Sequence, residues 1–384
     1  MNNRVAIVGG GASGVFASIF ASKNCDVTIF EKNYVLKTLL CTGGGRCNLA
    51  YNEKDFKELT KFYPRGNKFL YSIFSKFSTE DTIKFFKSIG VETYVQDDLR
   101  VFPKSDSAKE VRKALISTLM HCNVKIVNEE IKNAQKCGEK FILNDAYEFD
   151  KLIIAIGGHS GYEIAKIFGH NIIEPKPALV GLKTLEQYGL QGVSLRNVEM
   201  KIEGKKDKLF GDIVFTSDGI SGPLAYMVSS IFARENYSKD NPIRLSLNFL
   251  DENIEFSNVL NSNGKKEVKT IISEYIPKSL SSIIVKDLSL EGIRGHEVKK
   301  EMRRKLESYL RDFKLTIIGH DVKGEVVTCG GVDLKEINPK NMESKLVGNL
   351  YFCGEVIDVD GFCGGFNLQN AWSSGYVAGM SVAK

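Results

Sequence analysis

The sequence lacks any apolar run approaching the ~20 residues a membrane-spanning helix needs. None of its eight cysteines (positions 25, 41, 47, 122, 137, 329, 353 and 363) belongs to a C-x-x-C pair, which argues against a zinc ribbon or a thioredoxin-type dithiol. No metal site is expected. Neither sign of charge dominates: 52 Lys and Arg against 47 Asp and Glu leave +5 over 384 residues. That balance points neither to nucleic acid nor to an anionic membrane as a partner. A strand-like run at 5–8 begins almost at once and leaves no room for a signal peptide. With eight scattered thiols, this sets the expectation of a soluble cytoplasmic protein. Proline is scarce too, with 8 residues against 35 glycines, and many of those glycines fall into a few tight clusters.

The rest is ordinary globular composition, 43% hydrophobic and 26% charged, at a length that suits two or three domains. The first thirty residues read as a βαβ unit. An apolar run at 5–8 leads into a glycine-rich turn at 9–14 and a helix over 15–21. A second apolar run at 27–30 ends in Glu31. Helical periodicity follows at 68–77, 79–89 and 108–120, strand-like stretches at 124–127 and 151–156, and a hairpin across 140–149. Residues 198–249 alternate polar and apolar, as a small β unit does. From about 255 to 313 the pattern turns helical, with Val298, Met302, Leu306, Leu310 and Phe313 on one face. The basic run there (Lys299, Lys300, Arg303, Arg304, Lys305) is interleaved with Glu297, Glu301 and Glu307, so it reads as a solvated face rather than a nucleic-acid stripe. The predicted fold class is α/β, one domain built from both ends of the chain (1–182 and 325–384). The insertion at 183–324 is β-rich to about 250 and mainly helical beyond.

Three glycine clusters carry the chemistry. The first, Gly9 to Gly14, fits G-x-G-x-x-G: Gly9 allows a tight turn, Gly11 lets a pyrophosphate approach the backbone, and Gly14 permits close helix–strand packing. The helix beginning near Ser13 turns its unpaired N–H groups toward the phosphates. Glu31, at the end of the second strand, is placed to accept from both ribose hydroxyls and to repel a 2′-phosphate. The pair therefore predicts FAD or NAD(H). The second cluster, Thr42 to Asn48, contains three consecutive glycines flanked by the donors Arg46 and Asn48. It is either a flexible surface loop or backbone brought close to something flat. Cys47 reads as a small residue packed against a cofactor rather than a redox thiol. The third cluster runs from Cys353-Gly354-Glu355 to Gln369, with a helix from near Asn367 carrying Ala371, Ser374, Gly375, Ala378 and Gly379 as a small-residue face. A helix N-terminus there would stabilise the negative charge of a reduced flavin, which turns the expectation from NAD toward FAD.

On these residues the sequence resembles the BaiN/YhiN-type NAD(P)/FAD-dependent oxidoreductases, also described as aminoacetone-oxidase-like flavoproteins. The shared segments are VAIVGGGASG, TGGGRCN, RVFP, LIIAIGG, PALV, GISGP, VTCGGV, MESK, LYFCGEVIDVDG and GGFNLQNAWSSGYVAG, which together span essentially the whole chain. The resemblance implies a discontinuous Rossmann-like FAD-binding domain with an inserted β-barrel-like and helical region. It assigns Gly9, Gly11, Ala12, Ser13 and Gly14 to the pyrophosphate, Glu31 and Lys32 to the adenosine ribose, and Ile131 to adenine. Gly44, Arg46, Cys47 and Asn48 would lie near the isoalloxazine. Gly157, in the LIIAIGG segment, joins the cofactor-binding set. Gly354 joins that set too, and Glu355 would lie by the ribityl chain, with Gly365, Phe366, Asn367 and Leu368 at the pyrimidine end. Two departures bear on the substrate side. Only His159 and Ser160 separate Gly158 from Gly161-Tyr162, where members carry a longer loop. Phe215-Thr216-Ser217 stands where they have Phe-Thr-His.

The function expected is that of an FAD-dependent oxidoreductase passing hydride between flavin N5 and a small organic substrate. NAD(P)H or dioxygen would be the second redox partner. No second G-x-G-x-x-G unit follows a strand, so NAD(P)H would dock transiently. The alternatives are a flavin-dependent RNA-modifying enzyme and a non-enzymatic flavin-binding redox protein. No catalytic residue is assigned. His159 and His170 are candidates only by position, and His121, His296 and His320 read as structural.

Overall fold

A computed structural model gives the fold of residues 2–158, 161–321 and 327–384. These divide into two compact units, 1–176 with 327–384 and 177–326.

The first unit is built on five parallel strands: β1 (Asn3–Val8), β2 (Cys25–Phe30), β3 (Lys125–Val127), β4 (Lys151–Ile154) and β5 (Leu350–Phe352). Their order is β5-β4-β1-β2-β3. β1 sits at the centre with Val5, Ala6 and Ile7 fully buried, which is why it reads as a continuous apolar run rather than an alternating one. The chain leaves β1 through helix α1 (Ala12–Ala21) to β2, and reaches β3 by way of α2 (Ala108–His121). It then returns to the other side of β1 as β4, so the order reverses between β1 and β4. Parallel α/β sheets bind ligands at the carboxyl ends of the strands flanking such a reversal.

The last helix, α3 (Phe366–Val382), lies along α1. Its small-residue face is what allows this. A Cβ on Gly375 would stand 2.6 Å from the Ser13 carbonyl oxygen, and one on Gly379 would stand 2.4 Å from that of Ala17. Trp372, the chain's one tryptophan, is fully buried beside Phe16 and Phe86, and its Nε1 donates to the Leu49 carbonyl at 3.0 Å. The hairpin expected across 140–149 forms as Lys140–Leu143 with Tyr147–Phe149. A third strand joins it, Ala134–Cys137, whose sequence AQKC carries too little apolar alternation to announce itself.

The second unit is a closed antiparallel barrel. Its strands follow one another round the barrel as Leu182–Thr184, Gly219–Ser221, Lys208–Phe215, Ser194–Ile202, Ile243–Asn248 and Phe313–His320. Helices Phe256–Ser262, Val268–Ile272, Lys278–Asp287 and Lys300–Arg311 fill the stretch after the fifth strand in sequence. The region read as mainly helical thus ends in a strand. Phe313, Leu315 and Ile317 are buried while Lys314 is exposed, a period of two that the preceding helical period masks. Phe313 therefore opens a strand and is not part of the helix face. On helix Lys300–Arg311, Lys305 pairs with Glu301 at 3.0 Å and Arg311 with Glu307 at 3.0 Å, as a solvated face does. Among the described residues no helix is long and apolar enough to cross a membrane.

Candidate functional site

Four loops converge at the carboxyl ends of β1, β2, β4 and β5. The glycine turn after β1 meets the others closely: a Cβ on Gly9 would fall 2.3 Å from the Ala155 carbonyl oxygen, and one on Gly354 would fall 2.2 Å from Ser13 Oγ. A Cβ on Gly158 would meet the Glu355 carboxylate at 2.9 Å. Glu31 closes the group, its Oε2 accepting from Gly10 N and its Oε1 from Asn33 N, each at 2.8 Å.

The motif glycines separate into two kinds. Gly9 (φ 107°) and Gly14 are required by the protein itself, since a Cβ on Gly14 would collide with the Gly9 carbonyl. Gly11 has an extended backbone (φ −76°) and, among the described residues, no heavy atom within 4 Å of where its Cβ would be. No described residue explains that glycine, and the space it leaves lies at the start of α1. That helix has no side-chain cap and no acidic residue in its first turn, so its N–H groups and positive dipole end carry no competing carboxylate. Ala12 is partly buried, and Ser13 is buried with its hydroxyl donating to the Cys353 carbonyl at 3.3 Å. Its backbone N–H, rather than its side chain, is what Ser13 can offer an anion.

Lys32, half exposed, pairs with Glu130 at 2.9 Å. The Asn128 amide donates to the carbonyls of Glu31 (2.9 Å) and Asn33 (2.8 Å), tying the end of β2 to the segment after β3. Ile131 is buried in the core, so only its backbone could face a ligand.

The TGGGRCN segment folds as a kinked 3-10 turn, with Gly43 and Gly44 in left-handed conformations. Among the described residues, no atom lies near the missing Cβ of Gly44 or of Gly157 either. The Arg46 guanidinium stacks on Phe102 at 4.2 Å and lies 3.8 Å from Asp106. Cys47 is buried, and burial pushes its thiol up to about 12, so it stays protonated at neutral pH. Asn48 turns inward, and its amide is assigned the orientation its neighbours satisfy: the nitrogen donates to Ala50 O (3.1 Å) and Val101 O (3.2 Å), and the oxygen accepts from Gly365 N (3.1 Å).

α3 begins beside it, with Gly365 as N-cap (φ 94°), no side-chain cap and no acid in the first turn. Phe366 is buried, stacked on Phe62 at 4.7 Å and beside Tyr51, and its carbonyl accepts from Tyr63 OH at 2.6 Å. The Asn367 amide clasps Gly361, donating to its O (2.9 Å) and accepting from its N (2.8 Å). Leu368 is partly buried. Gly354 N donates to Ser374 Oγ at 2.9 Å, and Glu355 Oε1 accepts from Thr328 N at 2.8 Å. Three of the side chains singled out from sequence, Asn48, Phe366 and Asn367, are thus committed within the protein. What they leave for a ligand is backbone.

His170 fits the reading of an ordinary histidine rather than a proton donor. It is buried, with Nδ1 3.1 Å from Glu336 Oε2 and Nε2 2.8 Å from Ser344 Oγ, and is spent on the fold rather than offered to a substrate. His159 lies outside the described residues. Arg65 and Asp360 form a buried ion pair that no sequence motif marks as a pair. Asp360 sits inside a recognised segment, but Arg65 lies in a loop with no motif. Among the described residues no cluster of three His, Cys, Asp or Glu side chains is set to hold a metal ion.

These features fit FAD: an open cradle at Gly11, two uncapped helix N-termini free of acids, and a carboxylate pinned at the end of β2. The fold is shared with solved flavoenzymes. A 3-ketosteroid delta1-dehydrogenase from Sterolibacterium denitrificans aligns with a TM-score of 0.54 at 10% identity, over 99% of both chains. A flavocytochrome c3 fumarate reductase aligns with a TM-score of 0.50 at 12% identity, over 99% of this chain and 78% of that one. Among curated relatives, a 3-dehydro-bile acid delta(4,6)-reductase of Clostridium scindens is 31% identical, across 100% of this chain and 99% of its own length. A ribosomal RNA dihydrouridine synthase of Haemophilus influenzae is 29% identical, across 98% of each. The profile described as HI0933-like protein Rossmann domain matches residues 3–381, and the chain belongs to that family of FAD-dependent oxidoreductases.

Proposed function

We propose that this oxidoreductase reduces a carbon–carbon double bond conjugated with a carbonyl in a small organic substrate, taking its electrons from NAD(P)H. The observation that carries the cofactor half of this reading is the space at Gly11, which no described residue fills, before an N-terminus that no described side chain caps. FAD, when bound, supplies hydride exchange at N5. The protein's residues hold and orient it. N–H groups of Gly11, Ala12, Ser13 and Gly14 meet the pyrophosphate, and Glu31 with Lys32 receives the ribose beside the Ile131 backbone. Gly44, Arg46, Cys47 and Asn48 border the ring system, and Gly157, Gly354 and Glu355 flank the ribityl chain. The backbone of Gly365 to Leu368 offers a positive dipole end to the pyrimidine edge.

The reaction class comes from chemistry common to the relatives' names. Saturating a delta(4,6) system beside a 3-oxo group and converting uridine to dihydrouridine both add two hydrogens across an alkene conjugated with a carbonyl. Such an alkene accepts hydride at its β-carbon and a proton at its α-carbon, while the nicotinamide is oxidised. Ribosomal RNA as substrate is the second reading, favoured by two relatives bearing that name at 29% and 27% identity. The small-molecule reading is supported by the paired charges on helix Lys300–Arg311 and the small net charge.

Anaerobic mixing with NADH and with NADPH, followed by an enone and separately by unmodified rRNA, tests the proposal. Flavin bleaching by a nicotinamide and reoxidation by the enone are expected. Reoxidation only by rRNA, with dihydrouridine found by mass spectrometry, establishes the second reading. Bleaching by neither nicotinamide, with turnover supported by dioxygen and an organic donor, replaces the reductase by an oxidase.

A further inference from the structure

The loop leading into α3 is held by a short segment that no motif marks, residues 62–66. Phe62 O accepts from Phe362 N at 3.0 Å, and Tyr63 OH donates to Phe366 O at 2.6 Å. The missing Cβ of Gly66 would stand 2.5 Å from Val359. Arg65 forms a backbone bridge with Asp360, and its guanidinium grips both oxygens of that carboxylate, Nε to Oδ1 and Nη2 to Oδ2. The Asp360 side chain is fully buried and that of Arg65 is 11% exposed. Next in the chain comes Gly361, clasped by Asn367 from the first turn of α3. The ion pair is therefore built into the connection that fixes where α3 begins.

A buried charge pair contributes little net stability over apolar packing, whereas breaking one partner exposes the other's full charge to a low-dielectric interior. Its presence in this loop calls for a reason other than stability. We propose that the Arg65–Asp360 pair is a positioning device for the bound cofactor: it seats the N-terminus of α3 and keeps the surrounding charge balanced. Removing either charge alone then biases the cofactor between its oxidised and reduced forms. This rests on the assignment of α3 to the flavin's pyrimidine end.

The test is the midpoint potential of the FAD-loaded protein at pH 8, with FAD affinity of the apoprotein measured alongside. Asp360→Asn leaves a permanently charged Arg65. It should raise the ratio of affinities for reduced over oxidised FAD about tenfold, a shift of about +30 mV for a two-electron couple. Arg65→Met should move the ratio the opposite way by a similar factor, and the double variant should return to within about twofold of wild type. Damage to packing alone would not reverse sign between the two single variants. Shifts of the same sign, or none, overturn the inference. If Arg65→Met does not fold, an upward shift in Asp360→Asn cancelled in the double variant still supports it, and an unmoved potential still overturns it. A wild-type protein that binds no FAD would overturn the cofactor assignment instead.

Discussion

A Cβ on Gly14 would lie 1.9 Å from the carbonyl oxygen of Gly9, whereas a Cβ on Gly11 would meet no described residue within 4 Å. One motif thus contains glycines with opposite reasons to exist. Gly14→Ala should destabilise the apoprotein by about 1–3 kcal/mol, because the helix cannot approach the turn. Gly11→Ala should leave apoprotein stability within about 0.5 kcal/mol and weaken FAD binding tenfold or more. Thermal melts of the apoprotein and FAD titration by fluorescence quenching separate the two. Tight FAD binding by Gly11→Ala would remove the pyrophosphate from that cradle.

Glu31 has a similar double duty. Its two oxygens already accept from Gly10 N and Asn33 N, which fixes the carboxylate before any ligand arrives. Glu31→Gln places an amide NH2 against one of those donors, at a cost of about 1–3 kcal/mol if the donor goes unpaired. It also removes the charge that ribose hydroxyls would meet. FAD affinity should fall about tenfold in equilibrium dialysis. An unchanged affinity would end the ribose assignment.

The parts of this molecule legible in sequence are those where one local pattern dominates. β1 is buried on both faces and reads as an apolar run, and the turn after it must contain glycine at Gly14 for a contact with Gly9 only a few residues away. The small-residue face of α3 was equally plain, since its spacing alone requires a close neighbour, found as α1. What sequence could not reveal was long-range pairing. Asn48 looks like a donor awaiting a ligand, and only the fold shows that Ala50, Val101 and Gly365 consume it. Arg65 meets Asp360 across nearly three hundred positions, and no local pattern announces such a pair. The last barrel strand was hidden because Phe313 satisfies a helical and an alternating period at once.

His170 links three segments through Glu336 and Ser344, and Ser344 Oγ also accepts from Leu346 N (3.0 Å) and Val347 N (2.9 Å). That hydroxyl is then free to donate to an unprotonated Nε2. Burial lowers the His170 pKa below 6.5, and the neighbouring Glu336 only partly opposes it. The unfolded chain therefore binds the proton more readily. The stability contribution is complete above about pH 6.5 and is lost as pH falls from there toward the lowered value. Chemical denaturation at pH 7.5 and 5.5 should show lower stability at 5.5. His170→Gln should flatten that difference while costing about 1–3 kcal/mol at pH 7.5. A wild-type profile level across this range would show that Glu336 balances burial, and higher stability at pH 5.5 would show that it outweighs burial.

Cys47 lies in the loop assigned to the ring system, yet its thiol is buried and held protonated by that burial, with Thr42 as its hydrogen-bonding neighbour. A thiolate is the reactive form, so the residue should contribute shape and not redox chemistry. Exposed Cys41 and Cys137 should react with a thiol reagent in the native protein, whereas Cys47 and the equally buried Cys353 should react only after unfolding. Cys47→Ser exchanges sulfur for a more strongly hydrated hydroxyl in a buried place. It should lower stability by about 1–2 kcal/mol while FAD binding and reduction by nicotinamide stay within about threefold. Full FAD occupancy combined with abolished reduction would give the thiol a direct part in electron transfer. It would also require the buried geometry to open during turnover.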